Sequence, residues 1–314
     1  MTMQTVKEVS HEIVVDAPAD AVYALIADVR AWPQIFPPTI YVDQLEHGPD
    51  TERIRIWATA NGEVKNWTSR RVLNPGALSI AFRQEISAPP VAAMGGTWLI
   101  QELSPSSCLV MLLHDYRAVD DAPDALAWID AAVDRNSRAE LGALKQNVER
   151  AHEAAALTFS FTDSVPVEGS VSDVYDFINE AGRWAERLPH VASVRLEEDV
   201  TGLQVLEMDT RAKDGSVHTT KSYRVCVPNQ RIAYKQVTLP ALMDLHTGVW
   251  TFTPQEAGVL VSSQHTVVLR AENIEPILGP GAGVAEARAY VRTALSTNST
   301  ATLNHARDHA QNRR

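Results

Sequence analysis

Val22-Tyr23-Ala24-Leu25-Ile26, set against Val174-Tyr175-Asp176-Phe177-Ile178, decides the fold, because the two stretches stand 152 positions apart and the spacing persists around them. At the same shift Trp32 meets Trp184 and Pro37 meets Pro189. One residue further on, Gly62 meets Gly215, and Ser69-Arg70-Arg71-Val72 meets Ser222-Tyr223-Arg224-Val225. Returning to 152, Ile80-Ala81-Phe82 falls on Ile232-Ala233-Tyr234, Gln84 on Gln236, and Gly96-Thr97-Trp98 on Gly248-Val249-Trp250. His114 meets His265 and, past an insertion in the second half, Asn136-Ser137 and Leu141 meet Asn298-Ser299 and Leu303. Order kept this closely means duplication of one domain. A chain of 314 residues has room for two, and the repeat places them at 1–152 and 157–314.

Each half reads as the same series of elements. An alternating strand, Val6 to Val15, leads into Asp16-Ala17-Pro18 and a helix carrying Val22, Leu25, Ile26 and Val29 at helical spacing. A short turn at Trp32 closes at Pro37-Pro38. Alternating segments follow at 39–47, 51–60, 64–73, 77–86, 94–103 and 107–118, then an amphipathic helix at 122–152 with Leu126, Ile129, Val133, Leu141, Leu144 and Val148 on one stripe. The second half predicts a strand near 157–167, a helix near 171–180, strands to about 270 and a closing helix near 284–310. The junction from Ala151 to Thr158 is too short and apolar for a floppy linker. An α+β domain of this order buries its apolar faces by curling an antiparallel sheet around the last helix, which leaves a hollow between them.

Composition narrows the function. A net charge of −11 and a pI near 5.4 argue against nucleic acid and anionic lipid as partners. No run of some 18 apolar residues exists, and the first residues lack the pattern of a secretory leader, so a cytoplasmic protein is expected. Cys108 and Cys226 occupy non-equivalent places and read as two buried free thiols. No metal cluster, phosphate-binding loop, dinucleotide fingerprint or nucleophile elbow is present, so neither metal nor cofactor is expected. Gly279-Pro280-Gly281-Ala282-Gly283 reads as a rim loop before the last helix.

The stretch Lys65-Asn66-Trp67-Thr68-Ser69-Arg70-Arg71-Val72-Leu73 carries the chemistry. Strand alternation puts Trp67, Ser69, Arg71 and Leu73 on one face, the interior one, and Asn66, Thr68 and Arg70 on the other. An arginine inside an apolar hollow requires an anion or a strong dipole. It is either paired with a carboxylate such as Glu63 or Asp115, or it stabilises an oxyanion or enolate. The second half keeps Thr220, Ser222 and Arg224 in the same order. Trp32, Phe36, Trp57, Phe82, Trp98 and Tyr116 would line a flat slot, as would Trp184, Tyr234 and Trp250 in the duplicate. His114 and His265 are candidate proton-transfer groups.

These stretches resemble the START-like (helix-grip) aromatase/cyclases of bacterial type II polyketide synthases, and the duplication resembles their di-domain members. The likeness rests on Val14-Val15-Asp16-Ala17-Pro18, Ala31-Trp32-Pro33-Gln34-Ile35-Phe36, the Trp67-x-Ser69-x-Arg71 strand, Trp98, and Asn136-Ser137-Arg138-Ala139-Glu140. It implies two tandem helix-grip domains, each a curved antiparallel sheet around a long C-terminal helix with an internal cavity. It also implies first-ring cyclisation and dehydration of a carrier-bound, ketoreduced poly-β-ketone without a cofactor. Ser69 and Arg71 would be the catalytic pair, with Ser222 and Arg224 their duplicates, and Trp32, Trp67 and Trp98 pocket residues. An acyl carrier protein, ketoreductase and ketosynthase are the implied partners. The first half, with its richer aromatic set, is favoured as the catalytic one. The tyrosine of single-domain relatives falls on Thr39 here, so Tyr41 or a water would have to substitute for that acid. A non-catalytic lipid or hydrophobic-metabolite carrier is the alternative.

Overall fold

The computed structural model describes residues 6–149, 155–211 and 215–313, and the junction at 150–154 lies outside them. The chain divides into two compact units, Met1–Ala151 and His152–Arg314. In the first, β1 (Lys7–Val15) precedes α1 (Ala19–Ala27) and α2 (Trp32–Ile35). Six strands follow: β2 (Thr39–His47), β3 (Thr51–Ala60), β4 (Glu63–Asn74), β5 (Ser79–Ile86), β6 (Val91–Ser104) and β7 (Ser107–Ala118). The unit ends on α3 (Pro123–Glu149). The second repeats the plan as β8 (Thr158–Val167), α4 (Val171–Asn179), α5 (Trp184–Arg187), β9 (Val191–Val200), β10 (Leu203–Arg211), β11 (Val217–Val227), β12 (Arg231–Thr238), β13 (Met243–Gln255) and β14 (Gly258–Leu269). A short α6 (Ile274–Leu278) then leads to α7 (Val284–Gln311).

Each sheet has seven strands, in the orders β1-β7-β6-β5-β4-β3-β2 and β8-β14-β13-β12-β11-β10-β9. The pairs are antiparallel throughout, so each meander closes by returning its last strand beside its first. Alternation explains which face is core. In β7, Cys108, Val110, Leu112, Tyr116 and Ala118 are buried, and in α3 the inward stripe is Ile129, Ala132, Val133, Ser137, Leu141 and Leu144. The two cysteines are free and buried.

A buried arginine sits inside each of these oily interiors. Arg71 of β4 is 1% exposed and lies directly opposite Glu52 of β3, itself 2% exposed. Its Nη1 donates to Glu52 Oε1 at 2.5 Å, and its Nη2 donates to the Ile26 carbonyl at 2.9 Å. That carbonyl belongs to the last turn of α1, where unpaired carbonyls and the helix dipole favour a cation. The guanidinium also lies 4.9 Å from the Trp32 ring centre, and the Trp32 Nε1 donates to the same Ile26 carbonyl. The sheet, α1 and α2 are thus tied through one side chain. Glu52→Ala is expected to destabilise the first unit by about 3–5 kcal/mol, because it strands a buried cation. Urea unfolding checks this, and a change below about 1 kcal/mol would show the pair to be dispensable.

Candidate active site

The second unit keeps the arginine and drops its acid. Arg224 of β11 lies opposite Gln204 of β10, in the register that Arg71 shares with Glu52. Arg224 Nη2 donates to the Ile178 carbonyl at 2.8 Å, at the end of α4, and its guanidinium lies 5.2 Å from the Trp184 ring centre. The anchor to helix and tryptophan is therefore repeated. Gln204 turns its amide nitrogen to Glu198 and Asn179 instead. Arg224 Nη1 is left buried with no hydrogen-bond partner among the described residues. Burial pulls the Arg224 pKa below the usual guanidinium value. A buried donor without an acceptor is rare in a folded protein and marks a place for a water or a ligand.

Arg224 lines a cavity together with Trp184, Ser222, Tyr234, Trp250 and His265. About 120 Å³ is open to the centres of water-sized molecules there. That is several times the roughly 10–15 Å³ one water needs, and enough for a small ring. All six second-half residues singled out from the sequence meet in this one space. His246, Gln236, His190, Ser299 and Thr302 also line it and were missed. The first unit has Met94 where His246 stands, so the repeat gave no hint of that histidine. Strand parity would have found it, since His246, Gly248 and Trp250 share a face of β13.

The cavity holds a hydrogen-bonded chain of side chains. Tyr234 Oη lies 3.1 Å from His265 Nδ1 and 3.4 Å from His246 Nε2. The two imidazoles meet at 3.0 Å, His246 Nδ1 lies 2.9 Å from Gln236 Oε1, and His265 Nε2 lies 3.0 Å from Ser263 Oγ. Burial pushes His246 down to about 3 and His265 down to about 4, so both rings are neutral near pH 7. Neutral rings satisfy this chain when His246 Nδ1–H donates to Gln236, His265 Nδ1–H donates to His246, and Ser263 donates to His265. Burial raises the Tyr234 phenol above its ordinary value, so it keeps its proton for donation. Gly248 makes the arrangement possible: a Cβ there would lie 2.3 Å from Tyr234 Oη.

Sequence expectations for the first unit need correction. The partner of Arg71 is Glu52, whereas Glu63 pairs with Lys65 and Asp115 with Arg83. Arg71 Nη1 and Nη2 are thereby engaged with Glu52 and the Ile26 carbonyl. Trp57 meets Tyr41 at a tilt under Arg55 on the outer face, because Ile54, Ile56 and Ala58 take the inner one. Tyr116 faces inward, but its hydroxyl donates to Asp130 of α3 at 2.6 Å and serves the seam between sheet and helix. Thr68, expected outside, is buried beside a register shift between β4 and β5. Phe36 is packed between Trp32 and Trp98 in the core. Trp67 is half-buried against Val42, Ile54 and Ile56, and Phe82 meets the His114 ring edge-on at 5.5 Å. Ser69 is buried with its hydroxyl unpartnered. Among the described residues no cluster suited to a metal ion occurs, and no helix is long and apolar enough to cross a membrane.

The family model "Polyketide cyclase / dehydrase and lipid transport" matches residues 15–140 and 167–289, once in each unit. The chain belongs to that polyketide cyclase/dehydrase family. It is 55% identical over 301 residues to the granaticin polyketide synthase bifunctional cyclase/dehydratase of Streptomyces virginiae, covering 95% of this chain and 98% of that one. The actinorhodin polyketide synthase bifunctional cyclase/dehydratase of Streptomyces coelicolor is 44% identical, with 95% of each chain covered. Among solved structures, the di-domain ARO/CYC BexL from the BE-7585A biosynthetic pathway is 63% identical with a TM-score of 0.87, covering 97% of this chain and 99% of its own. The di-domain ARO/CYC StfQ from the steffimycin pathway is 36% identical with the same TM-score and coverage.

Two outcomes test the site. Gln204→Glu restores the acid opposite Arg224 and is expected to lower turnover at least tenfold by capturing Nη1; undiminished turnover would show that Nη1 does not meet substrate. The histidines make stability pH-dependent. Their folded values lie below the ordinary value near 6.5, so the stability they give is complete above pH ~6.5 and is lost as pH falls, at about 1.4 kcal/mol per pH unit for each ring. Calorimetry from pH 7 to pH 5 should show the second unit weakening, and less steeply in His246→Met. Equal slopes would mean the rings are not held neutral.

Proposed function

We propose that the chain is a polyketide aromatase/cyclase that closes and dehydrates the first ring of a carrier-bound, ketoreduced poly-β-ketone, and that the second unit's cavity performs the dehydration. The relatives named as bifunctional cyclase/dehydratases of polyketide synthases support the reaction class. One observation supports the placement: a buried, half-satisfied guanidinium beside a Tyr–His–His chain. An acyl carrier protein bearing the chain, with ketosynthase and ketoreductase acting earlier, are the proposed partners.

The chemistry follows from the geometry. A ring carbon next to a ketone carries an acidic hydrogen, and the neighbouring carbon carries the reduced hydroxyl. Arg224 Nη1 donates to the ketone oxygen and stabilises the enolate as a neutral imidazole of the pair takes the hydrogen as a proton. The enolate electrons re-form the ketone and expel the hydroxyl, which leaves as water with the Tyr234 proton. The resulting tyrosinate recovers a proton across the 3.1 Å contact with His265. No group is consumed, and enolisation of the new enone gives the aromatic ring. Trp184 and Trp250 supply flat walls for a planarising product.

Reconstitution with a minimal polyketide synthase and its ketoreductase checks this directly. Tyr234→Phe and Arg224→Met are each expected to reduce aromatised product about 100-fold or more and to accumulate the hydroxylated ring. Product levels within twofold of wild type, from folded variants, would remove the second cavity from the reaction.

A further inference from the structure

Resting on the reading above for the reaction, we infer that Asp163, which stands outside the lining of the second unit's cavity, is a positioning residue for the dehydration: its negative charge, set behind Ser263, steadies His265 while that ring carries the substrate's proton. Strand parity turns Asp163 inward. The inner face of β8 is Phe159, Phe161, Asp163, Val165 and Val167, which puts a carboxylate in the middle of an apolar row. A charge in such a place is costly unless something nearby gains from it.

The register of β8 on β14 brings Asp163 to the back of the histidine chain. Asp163 lies directly opposite Ser263, and Phe161 directly opposite His265. The Phe161 and His265 rings stack with centres 4.9 Å apart, and Ser263 Oγ lies 3.0 Å from His265 Nε2. Asp163 is therefore the diagonal neighbour of His265 on one face of the sheet, at a backbone separation of roughly 7–8 Å. The carboxylate is held in place from α7: Ser296 Oγ donates to its Oδ1 at 2.5 Å, and Ser299 Oγ donates to its Oδ2 at 2.7 Å. Among the described residues no cation pairs with it, so two neutral hydroxyls fix the group and leave its charge unspent. Around the His265 ring stand His246 of β13 and Tyr234 of β12, both uncharged near pH 7, and Arg224 of β11. On α7, the Arg292 guanidinium lies 5.5 Å from the Phe161 ring centre. Asp163 is the one carboxylate of this group. Burial lowers the His265 pKa, and Asp163 works against that fall.

The duplicate shows the same places filled with the opposite charge. A shift of 152 puts His11 where Asp163 stands, and His11 lies opposite Leu112 as Asp163 lies opposite Ser263. The acid has changed sides: in the first unit Asp134 on α3 pairs with His11, and its counterpart on α7 is Ser296. Burial lowers the pKa of His114 as well, and His11 lowers it further where Asp163 would raise it. One unit thus sets a second histidine behind the shared one, and the other sets a carboxylate there.

That difference matters for a ring that must hold a proton briefly. In the dehydration the imidazole pair takes the proton from the substrate C–H bond, whose electrons form the enolate. The same proton count is restored when His265 Nδ1–H passes a proton to the tyrosinate of Tyr234 across their 3.1 Å contact. Between those events His265 is an imidazolium, with its Nε2–H donating to Ser263 Oγ. Desolvation alone opposes that ion, and a fixed negative charge behind the ring lowers its cost without touching the substrate.

The test uses the full chain and two readouts. The first needs no substrate: histidine-labelled protein is titrated by NMR from pH 7.5 to pH 4, and the His265 resonance is identified by its loss in His265→Gln. In Asp163→Asn the ring is expected to protonate at least about half a pH unit lower than in wild type, a threefold loss of proton affinity. The second readout is aromatised product from the reconstituted synthase, expected to fall about tenfold or more in Asp163→Asn. Asp163→Glu, which keeps the charge, should restore the titration and at least about a third of the product. Ser296→Ala, which breaks one bond between strand and helix but leaves the charge, should stay within about twofold of wild type in both. Should Asp163→Asn not fold, Asp163→Thr takes its place. An unshifted His265 titration overturns the inference, as does an equal loss of product in Ser296→Ala. Undiminished product in Asp163→Asn, where Tyr234→Phe loses it, sinks this inference and leaves the second-cavity reading standing. A shifted titration with Tyr234→Phe fully active sinks that reading, while the hold of Asp163 on His265 stands.

Discussion

A guanidinium buried between sheet and helix is the constraint on which both units depend. Taking that charge out of water is costly, and each unit meets the cost first with a helix-end carbonyl and a tryptophan face. The arginine therefore fixes where the short helices sit against the sheet, and so the shape of each interior. What differs is the residue across the strand pair. Glu52 completes the neutralisation in the first unit, and Gln204 leaves it incomplete in the second. The same scaffold yields a structural ion pair in one copy and an unspent donor in the other.

Duplication lets such differences accumulate, because one copy keeps its function while the other changes. Tyr234 and His246 line the second unit's cavity where the repeat puts Phe82 and Met94 in the first, so a phenol and an imidazole replace two apolar side chains. The second interior thus collects a phenol and two neutral imidazoles. Carbon–carbon bond formation needs a base and a fold of the chain; dehydration needs an acid near the departing hydroxyl.

Most of the fold was legible because the hydrophobic periodicity was printed twice. The strands expected at 39–47, 51–60 and 107–118 coincide with β2, β3 and β7, and the closing helices fall where their apolar stripes put them. The six second-half residues that meet in the cavity were legible by parity and by the repeat. Three things were not. The partner of Arg71 lies on an adjacent strand, and a sequence does not state register, so Glu63 and Asp115 looked as suitable as Glu52. Trp57 looked like a pocket wall because aromatic content was weighed without the phase of β3, whose even-numbered residues face inward. His246 had no duplicate to flag it. The repeat revealed what the halves share, and so was silent on Tyr234 and His246, where they differ.

The free donor of Arg224 can be observed directly. A crystal structure of the full chain soaked with a naphthol, as a planar phenolic stand-in for product, should place the phenol oxygen about 3 Å from Arg224 Nη1, between Trp184 and Trp250. Arg71 should remain closed on Glu52 in the same crystal. A naphthol bound over Arg71 with the second cavity vacant, or Arg224 Nη1 satisfied by a protein carboxylate, would contradict the division of labour between the two arginines.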